Sequence, residues 1–401
     1  MAIRVKAAET AKELSDVYKL RHQVYVKGEG YFKDQPGDHI VDQFDTLPEV
    51  INVIAYAGDT PVGTIRLNKD SAIGLPCDEI YDFSSYRQAE IEKAKEAGQP
   101  EPVFCSGGML AIADEYRNRR DLFQALFKMT CDVGGLWGGT HVLLTVNVKS
   151  STIYKRLGFE TISEEIWAPS IGEHIVAMVS PFQPVYDWAF GSFSDKKELL
   201  ESFAGCFQVY LADPGTEICI EGEKGEEAYL ISKGLVNITR TDQEIGETLH
   251  LATLGEGELF GELALLDDQT RSATVTAAGN VELMVLNRDI FWQKIHQDPE
   301  YLKSLLKVLT NRLRDADQRA YVYAHGSIET RIKFFLNKIM ETAIPSMKTP
   351  GNWIVRMTVE EFAKMANAPA DETQKLLEEL ARQEKIILNS KNITFIGRET
   401  I

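Results

Sequence analysis

Between residues 257 and 277 the chain reads GELFGELALLDDQTRSATVTA, a run whose side chains can hold a small anion and a neighbouring hydroxyl together. Gly261, Glu262, Leu263 and Ala264 predict an amide-rich turn entering a short helix, where free N–H groups and the helix dipole favour negative charge. The Glu262 carboxylate can accept a hydrogen bond from a hydroxyl. Arg271 lies nine residues further on and can pair with a phosphate as a charge-assisted donor. Ser272 adds a hydroxyl near the same oxygens, and Ala273 keeps the backbone close. A cyclic phosphate on a ribose that retains its 2′-hydroxyl makes these demands at once.

The ungapped stretch FGELALLDDQTRSATV resembles the cyclic-nucleotide-binding family, and PGTEICIEGEKGEEAYLISKG (214–234), with Gly222 and Gly234, is similar to that family's first barrel turns. The resemblance implies a jelly-roll β-barrel that binds its ligand through Gly261, Glu262, Leu263, Ala264, Arg271, Ser272 and Ala273. It also implies a helix after the barrel that caps the base. An ungapped alignment with the bacterial catabolite activator puts Ala316 and Asp317 at the base. Asp317 can accept from the exocyclic amine of adenine or from the donors of a guanine edge. The expected ligand is therefore cAMP or cGMP, with cAMP preferred on the likeness of the whole domain.

A second group of chemically capable residues lies in the first 180. LLTVNVKSSTIYKRLGFETISEE (143–165) resembles the end of a GNAT-type N-acyltransferase, where a strand ends in an Asn and a helix carries YxxLGF; Asn147, Tyr154, Gly158 and Phe159 stand at those places. The resemblance implies that Tyr154 protonates the departing thiolate as a general acid. ADEYRNRRDLFQALF (113–127) occupies the pantetheine-binding turn without its usual glycines. Arg117, Arg119 and Arg120 there can hold phosphate by charge, or greet an acidic acyl carrier protein. LRHQVYVKGEGYF (20–32), DQFD (42–45) and PVGTIRL (61–67) resemble acyl-homoserine-lactone synthases and, more closely, N-acyl amino acid synthases. Arg21, Tyr25, Asp42, Asp45 and Arg66 fall on the motif positions of those families. The E-x-S-R strand of those families is replaced here by Ser106-Gly107-Gly108-Met109, so the amine's base would be Asp45, Asp42 or water.

These groups need elements to carry them. VINVIAYA (50–57) and TPVGTIRL (60–67) predict a hairpin around Gly58-Asp59, VFCSGGMLAI (103–112) and HVLLTVNV (141–148) predict buried strands, and Asp121–Gly134 predicts a helix. PFQPVYDWAFGSFSDKKELL opens with prolines and turns polar, which predicts a linker. Short glycine-punctuated strands follow and suggest the small barrel. Leu302, Leu306, Leu309, Leu313, Ala316, Ala320 and Tyr323 recur at spacings of three and four, a heptad seam that predicts a homodimer through residues 302–323. IETRIKFFLNKI (328–339) and MTVEEFAKMANAPADETQKLLEELARQEKII (357–387) resemble the winged helix-turn-helix of catabolite-activator-type regulators, closed by a hairpin in KIILNSKNITFIG. The recognition-helix positions hold Ala370-Asp371-Glu372-Thr373-Gln374-Lys375, and residues 357–387 carry a net charge of −3. Such a surface faces phosphates poorly, so DNA binding is expected to be weak or lost.

The expected organisation is a multidomain α/β, β-barrel and winged-helix protein: a GNAT-like domain over 1–182, a linker over 183–200, a cyclic-nucleotide-binding domain with a long helix over 201–326, and a winged-helix-like domain over 327–401. Its 401 residues suit several cores. The overall charge of −17 disfavours a general grip on nucleic acid. Five scattered cysteines, Cys77, Cys105, Cys131, Cys206 and Cys219, form no CxxC pair, which predicts neither a disulfide framework nor a metal site and suits a reducing cytoplasm. No apolar run is long enough for a membrane span. The implied function is a cyclic-nucleotide-regulated N-acyltransferase that moves an acyl group from acyl-CoA or acyl carrier protein to an amine. The alternative is a cAMP-responsive transcription regulator whose N-terminal domain is a non-catalytic sensor.

Overall fold

A computed structural model of the chain describes residues 2–32, 37–169, 171–190, 205, 207–241, 246, 248–297, 299–341, 343–346, 349–355 and 357–397. Cys206 and residues 191–200 of the expected linker lie outside them. The chain forms two compact units, Met1–Leu211 and Ala212–Ile401.

The first unit is built on the strands β1 (Ala2–Ala7), β2 (Val50–Ala57), β3 (Thr60–Lys69), β4 (Phe104–Ile112), β5 (His141–Asn147), β6 (Glu160–Thr161), β7 (Ile166–Ala168) and β8 (Glu173–Pro181). They run in the order β1-β2-β3-β4-β5-β8-β6, with β7 also on β8. The β2–β3 hairpin turns at Gly58, whose φ of 59° suits a residue without a Cβ. β4 and β5 run parallel and pair at Phe104↔His141 and Cys105↔Val142 before the ladder ends. Beyond that point β4 carries a register shift against β3 and Met109 turns to a φ of 51°. The helices are α1 (Ala11–His22), α2 (Ser84–Glu96), α3 (Arg120–Leu136), α4 (Ser151–Arg156) and α5 (Phe182–Phe190). Thr10 and Glu13 close a capping box at the start of α1. α3 buries Leu122, Ala125, Leu126 and Met129, with Leu126 lying over Gly63 of β3.

The segment expected as a linker from 183 is helical as far as Phe190. Gln124 of α3 donates to the Trp188 carbonyl at 3.1 Å, and Phe123 meets the Trp188 ring edge-on. The prolines read as breakers sit where a helix tolerates them, Pro181 ending β8 and Pro184 within the first turn. Strand β9 (Gln208–Ala212) follows, its Gln208 accepting from Arg4 of β1 at 3.0 Å.

The second unit opens with a β-roll. One sheet orders β14 (Leu259–Phe260), β11 (Glu227–Lys233) and β16 (Val281–Asn287); the other orders β10 (Glu217–Cys219), β15 (Thr274–Ala277), β12 (Val236–Thr241) and β13 (Thr248–Leu254). The helix Leu263–Leu266 interrupts the strands at the motif. Helix Arg288–Gln297 then leads to the long helix Pro299–His325, which buries Tyr301, Leu305 and Val322. The seam residues Leu302, Leu306, Leu313, Ala316, Ala320 and Tyr323 are exposed in the single chain, Leu313 by 64%. Helices Ile328–Glu341, Val359–Met365 and Ala370–Arg382 pack with a four-stranded sheet, β17 (Ile344–Pro345), β18 (Asn352–Val355), β20 (Asn392–Ile396) and β19 (Ile386–Asn389) in that order, around Leu336, Phe362, Leu377 and Phe395. Among the described residues no helix is long and apolar enough to cross a membrane, and no cluster of three or more His, Cys, Asp or Glu could hold a metal ion.

Candidate functional site

The motif at 257–277 closes on a cavity. β14 ends at Phe260, and Gly261 reverses the chain with a φ of 77°; a Cβ there would stand 2.7 Å from Arg271 Nη1. The Glu262 carbonyl accepts from the Leu265 and Leu266 amides, which leaves the Leu263 and Ala264 amides at the open start of the helix Leu263–Leu266. Its last carbonyls are held from behind: Arg288 reaches the Ala264 carbonyl at 3.0 Å, and the Trp292 indole reaches that of Leu265 at 3.2 Å. Arg271 is buried, stacks 5.6 Å over Tyr229 and donates to the Gly261 carbonyl at 2.7 Å. Gly261, Glu262, Leu263, Ala264, Arg271, Ser272 and Ala273 all line the cavity.

Glu262 is 1% exposed. Its Oε1 accepts from Arg312 Nη1 at 2.5 Å, while its Oε2 is buried without a hydrogen-bond partner. A buried carboxylate oxygen left unpartnered is costly, so it is a place for an incoming donor. Arg312, from the long helix, was not among the sequence candidates, and its Nη2 is likewise buried and unpartnered. Asp317 was the expected base contact; it is exposed and does not line the cavity. The spacing puts Arg312 on the helix face of Ala316 but says nothing of its contact with Glu262. Arg312 stands four residues before Ala316, one turn nearer the helix start on the same face.

In the first unit, the divergence of β4 from β5 opens onto an apolar cavity. Ile65 and Leu67 of β3, Gly107 and Gly108 of β4, Phe127 of α3 and Tyr154 of α4 line it. Burial pushes the Tyr154 phenol up to about 12, so it stays protonated at neutral pH. Its ring packs edge-on against Phe159. Tyr25 does not join it there as a free group: its hydroxyl donates to the Leu110 carbonyl at 2.7 Å, beside the Met109 bend. Burial raises the Tyr25 phenol further still. Burial likewise pushes the Cys77 and Cys105 thiols up to about 12, which makes them poor nucleophiles.

The motif residues from 20 to 67 form a different structure. Ala55 of β2 lies beside Gly63 under α3, and Asn52, three residues earlier, points to the opposite face of the sheet. There α1 brings Arg21. Both Asp45 oxygens accept from Arg21 Nη1 at 3.0 Å, and Oδ2 also meets Arg66 Nη1 at 2.9 Å. Arg66 makes a two-point pair with Asp42 at 2.6 and 3.0 Å, and Asn52 bridges Arg21 and Asp45. Burial alone would raise the Asp45 carboxyl, but Arg21 and Arg66 outweigh it and hold it below the ordinary aspartate value. Asp45 is therefore corrected from catalytic base to structural anion. Its oxygens are occupied and its proton affinity is low, so it has nothing to abstract with.

Asn147 is also explained locally, its Oδ1 accepting from the Lys149 amide at 2.8 Å as β5 enters α4. Arg117 is taken up by Glu29 and Asp114, and Arg119 by Asp121. Arg120, at the start of α3, is exposed and has no ion pair among the described residues. Of the three expected phosphate contacts it alone has an uncommitted charge.

A β-roll whose motif turn, buried arginine and half-satisfied buried glutamate surround one cavity is a cyclic-nucleotide-binding domain, and residues 212–298 match the family model described by that name. The cyclic AMP receptor protein of Thermus thermophilus is 30% identical over 177 residues, which cover 44% of this chain and 78% of that protein. The chain belongs to the cyclic AMP receptor protein family, and it carries at its N-terminus an N-acyl amino acid synthase domain, whose family model, N-acyl amino acid synthase FeeM, matches residues 16–181. The cGMP-dependent protein kinase 2 of Homo sapiens is 33% identical over 124 residues, covering 31% of this chain and 16% of the kinase. A solved structure of FeeM, an N-acyl amino acid synthase from uncultured soil microbes, is 19% identical with a TM-score of 0.36, covering 46% of this chain and 92% of that one.

Proposed function

We propose that this protein is a GNAT-type N-acyltransferase under the control of cAMP. The observation that carries the sensor half is the unpartnered buried Oε2 of Glu262, which faces the cavity of Arg271 and Arg312. The 2′-hydroxyl of the ribose donates to it, and the cyclic phosphate takes the amides of the motif turn and the Arg271 guanidinium. cAMP is favoured over cGMP by the name of the Thermus relative and by its 78% coverage, against 16% for the cGMP-dependent kinase.

In the acyltransferase half the donor is an acyl thioester, acyl-CoA or acyl carrier protein, with Arg120 at its phosphate. The amine lone pair attacks the thioester carbonyl, the C–N bond forms and the C–S bond breaks. Tyr154 gives its proton to the departing thiolate, and water takes the proton that the amine sheds. The cyclic nucleotide must bind two states of the chain with different affinity, and couplings of this kind are on the order of 1–3 kcal/mol. The exposed seam of the long helix supports a homodimer, and scattered buried thiols support a reducing, cytoplasmic setting.

A second reading, a cAMP-responsive transcription regulator, draws on the C-terminal helices and sheet, whose make-up suits a winged helix. Against it, Asp371, Glu372 and Glu378 are exposed on Ala370–Arg382, the helix that would face DNA. The test is acyl transfer from several thioesters to several amines, with and without saturating cAMP. Amide formation that changes with cAMP supports the proposal. Equal rates, together with salt-sensitive nanomolar binding to a palindromic site, would replace it with the second reading.

A further inference from the structure

We infer that α5 is the end wall of the acyl-chain pocket and that Phe182, seated on Gly134, sets the length of chain the enzyme accepts. The inference rests on the acyltransferase reading of the same cavity and adds its specificity device. Phe182 and Val185, both on α5, line the cavity together with Cys131 of α3. Every side chain lining it is apolar except the Thr130 and Tyr154 hydroxyls and the Cys131 thiol, the make-up of a site for hydrocarbon rather than for a polar substrate.

Phe182 is 7% exposed and its ring has no slack behind it. A Cβ placed on Gly134 would stand 2.7 Å from Phe182 Cε2 and 3.3 Å from a Leu67 methyl. The glycine thus makes room for the ring to lie back against α3, and the depth left in front of the ring is the depth available to the acyl chain. The rest of α5 is locked to the same helix. Gln124 donates to the Trp188 carbonyl, Lys128 lies 5.4 Å from the Phe190 ring centroid, and Trp188 packs on Phe123 and Phe127. A wall fixed at this many points acts as a stop rather than a flexible flap.

The test is calorimetry of the full chain with a series of saturated acyl-CoA thioesters of increasing length, alongside amide formation from the same series. In the wild type, affinity should rise about fourfold per added methylene and then flatten where the chain end meets Phe182. Phe182→Ala and the milder Phe182→Leu should move the flattening to longer chains. Gly134→Ala, which pushes the ring forward, should move it to shorter ones. The opposite signs keep the inference testable if one variant fails to fold, as thermal melting would reveal. An unmoved breakpoint in the folded variants, or affinity independent of chain length, overturns it. Length-limited binding that shifts as stated, without amide formation from any amine, upholds the pocket and refutes the acyltransferase reading; amide formation with an unmoved breakpoint does the reverse.

Discussion

Asp45→Asn separates a structural anion from a catalytic base. In the wild type the Asp45 carboxylate lies between Arg21 and Arg66, with all three side chains at 1% exposure or less. Asn keeps the shape and some of the hydrogen bonds but removes the charge, so Arg66 keeps only Asp42, whose own carboxylate is 32% exposed, and Arg21 keeps only the neutral Asn52. Removing one member of a buried ion pair leaves an uncompensated charge and costs on the order of 3–5 kcal/mol. In a unit of this size that corresponds to a fall in melting temperature of about 6–20 °C. The acid limb should change too. A carboxylate held below its unfolded value contributes stability that is present above the unfolded pKa and is lost as the pH falls through the folded one. The wild type should therefore lose stability on acidification where Asp45→Asn loses less. Differential scanning calorimetry across an acidic pH series measures both effects. A variant that melts like the wild type while its kcat collapses would refute the structural assignment and restore Asp45 as a base.

Three other outcomes are expected. Glu262→Gln should weaken cAMP binding about ten- to a hundredfold, the value of a hydrogen bond to a charged group, and 2′-deoxy-cAMP should bind wild type and variant almost alike by calorimetry. Tyr154→Phe should lower kcat by about 10²–10⁴ without an equal change in KM. The wild-type rate should climb with pH as the acceptor amine deprotonates and fall only near 12, where Tyr154 loses the proton it donates. Leu306→Glu with Leu313→Glu, at exposed seam positions, should shift the protein to a monomer in analytical ultracentrifugation.

The nucleotide motif was legible because its chemistry lies in one ungapped run: Gly261, Glu262, Arg271 and Ser272 all reach one cavity through a local turn. Arg312 was not, because its contact with Glu262 depends on how a distant helix crosses the roll, and Asp317 on the same helix does not line the cavity. The catalytic reading of DQFD failed for a related reason. Asp42 and Asp45 cap their own turn, with Asp42 accepting from the Phe44 amide and Asp45 from the Asp42 amide, and nothing in the spacing reveals that Arg21 and Arg66 are buried against them. Pro181 and Pro184 suggest a linker, yet Pro181 only ends β8 and Pro184 falls in the first turn of α5, where no intrahelical N–H bond is lost. Its apolar positions Phe182, Val185 and Ala189, spaced by three and four, are the face it buries.

The claim that the sensor governs the synthase domain is tested most directly by titrating cAMP into an acyl-transfer assay and comparing the half-maximal concentration with the Kd from calorimetry, for wild type and Glu262→Gln. The account predicts that the two quantities agree and that the variant moves both by the same factor. Acyl transfer that stays flat while cAMP saturates its site would contradict it.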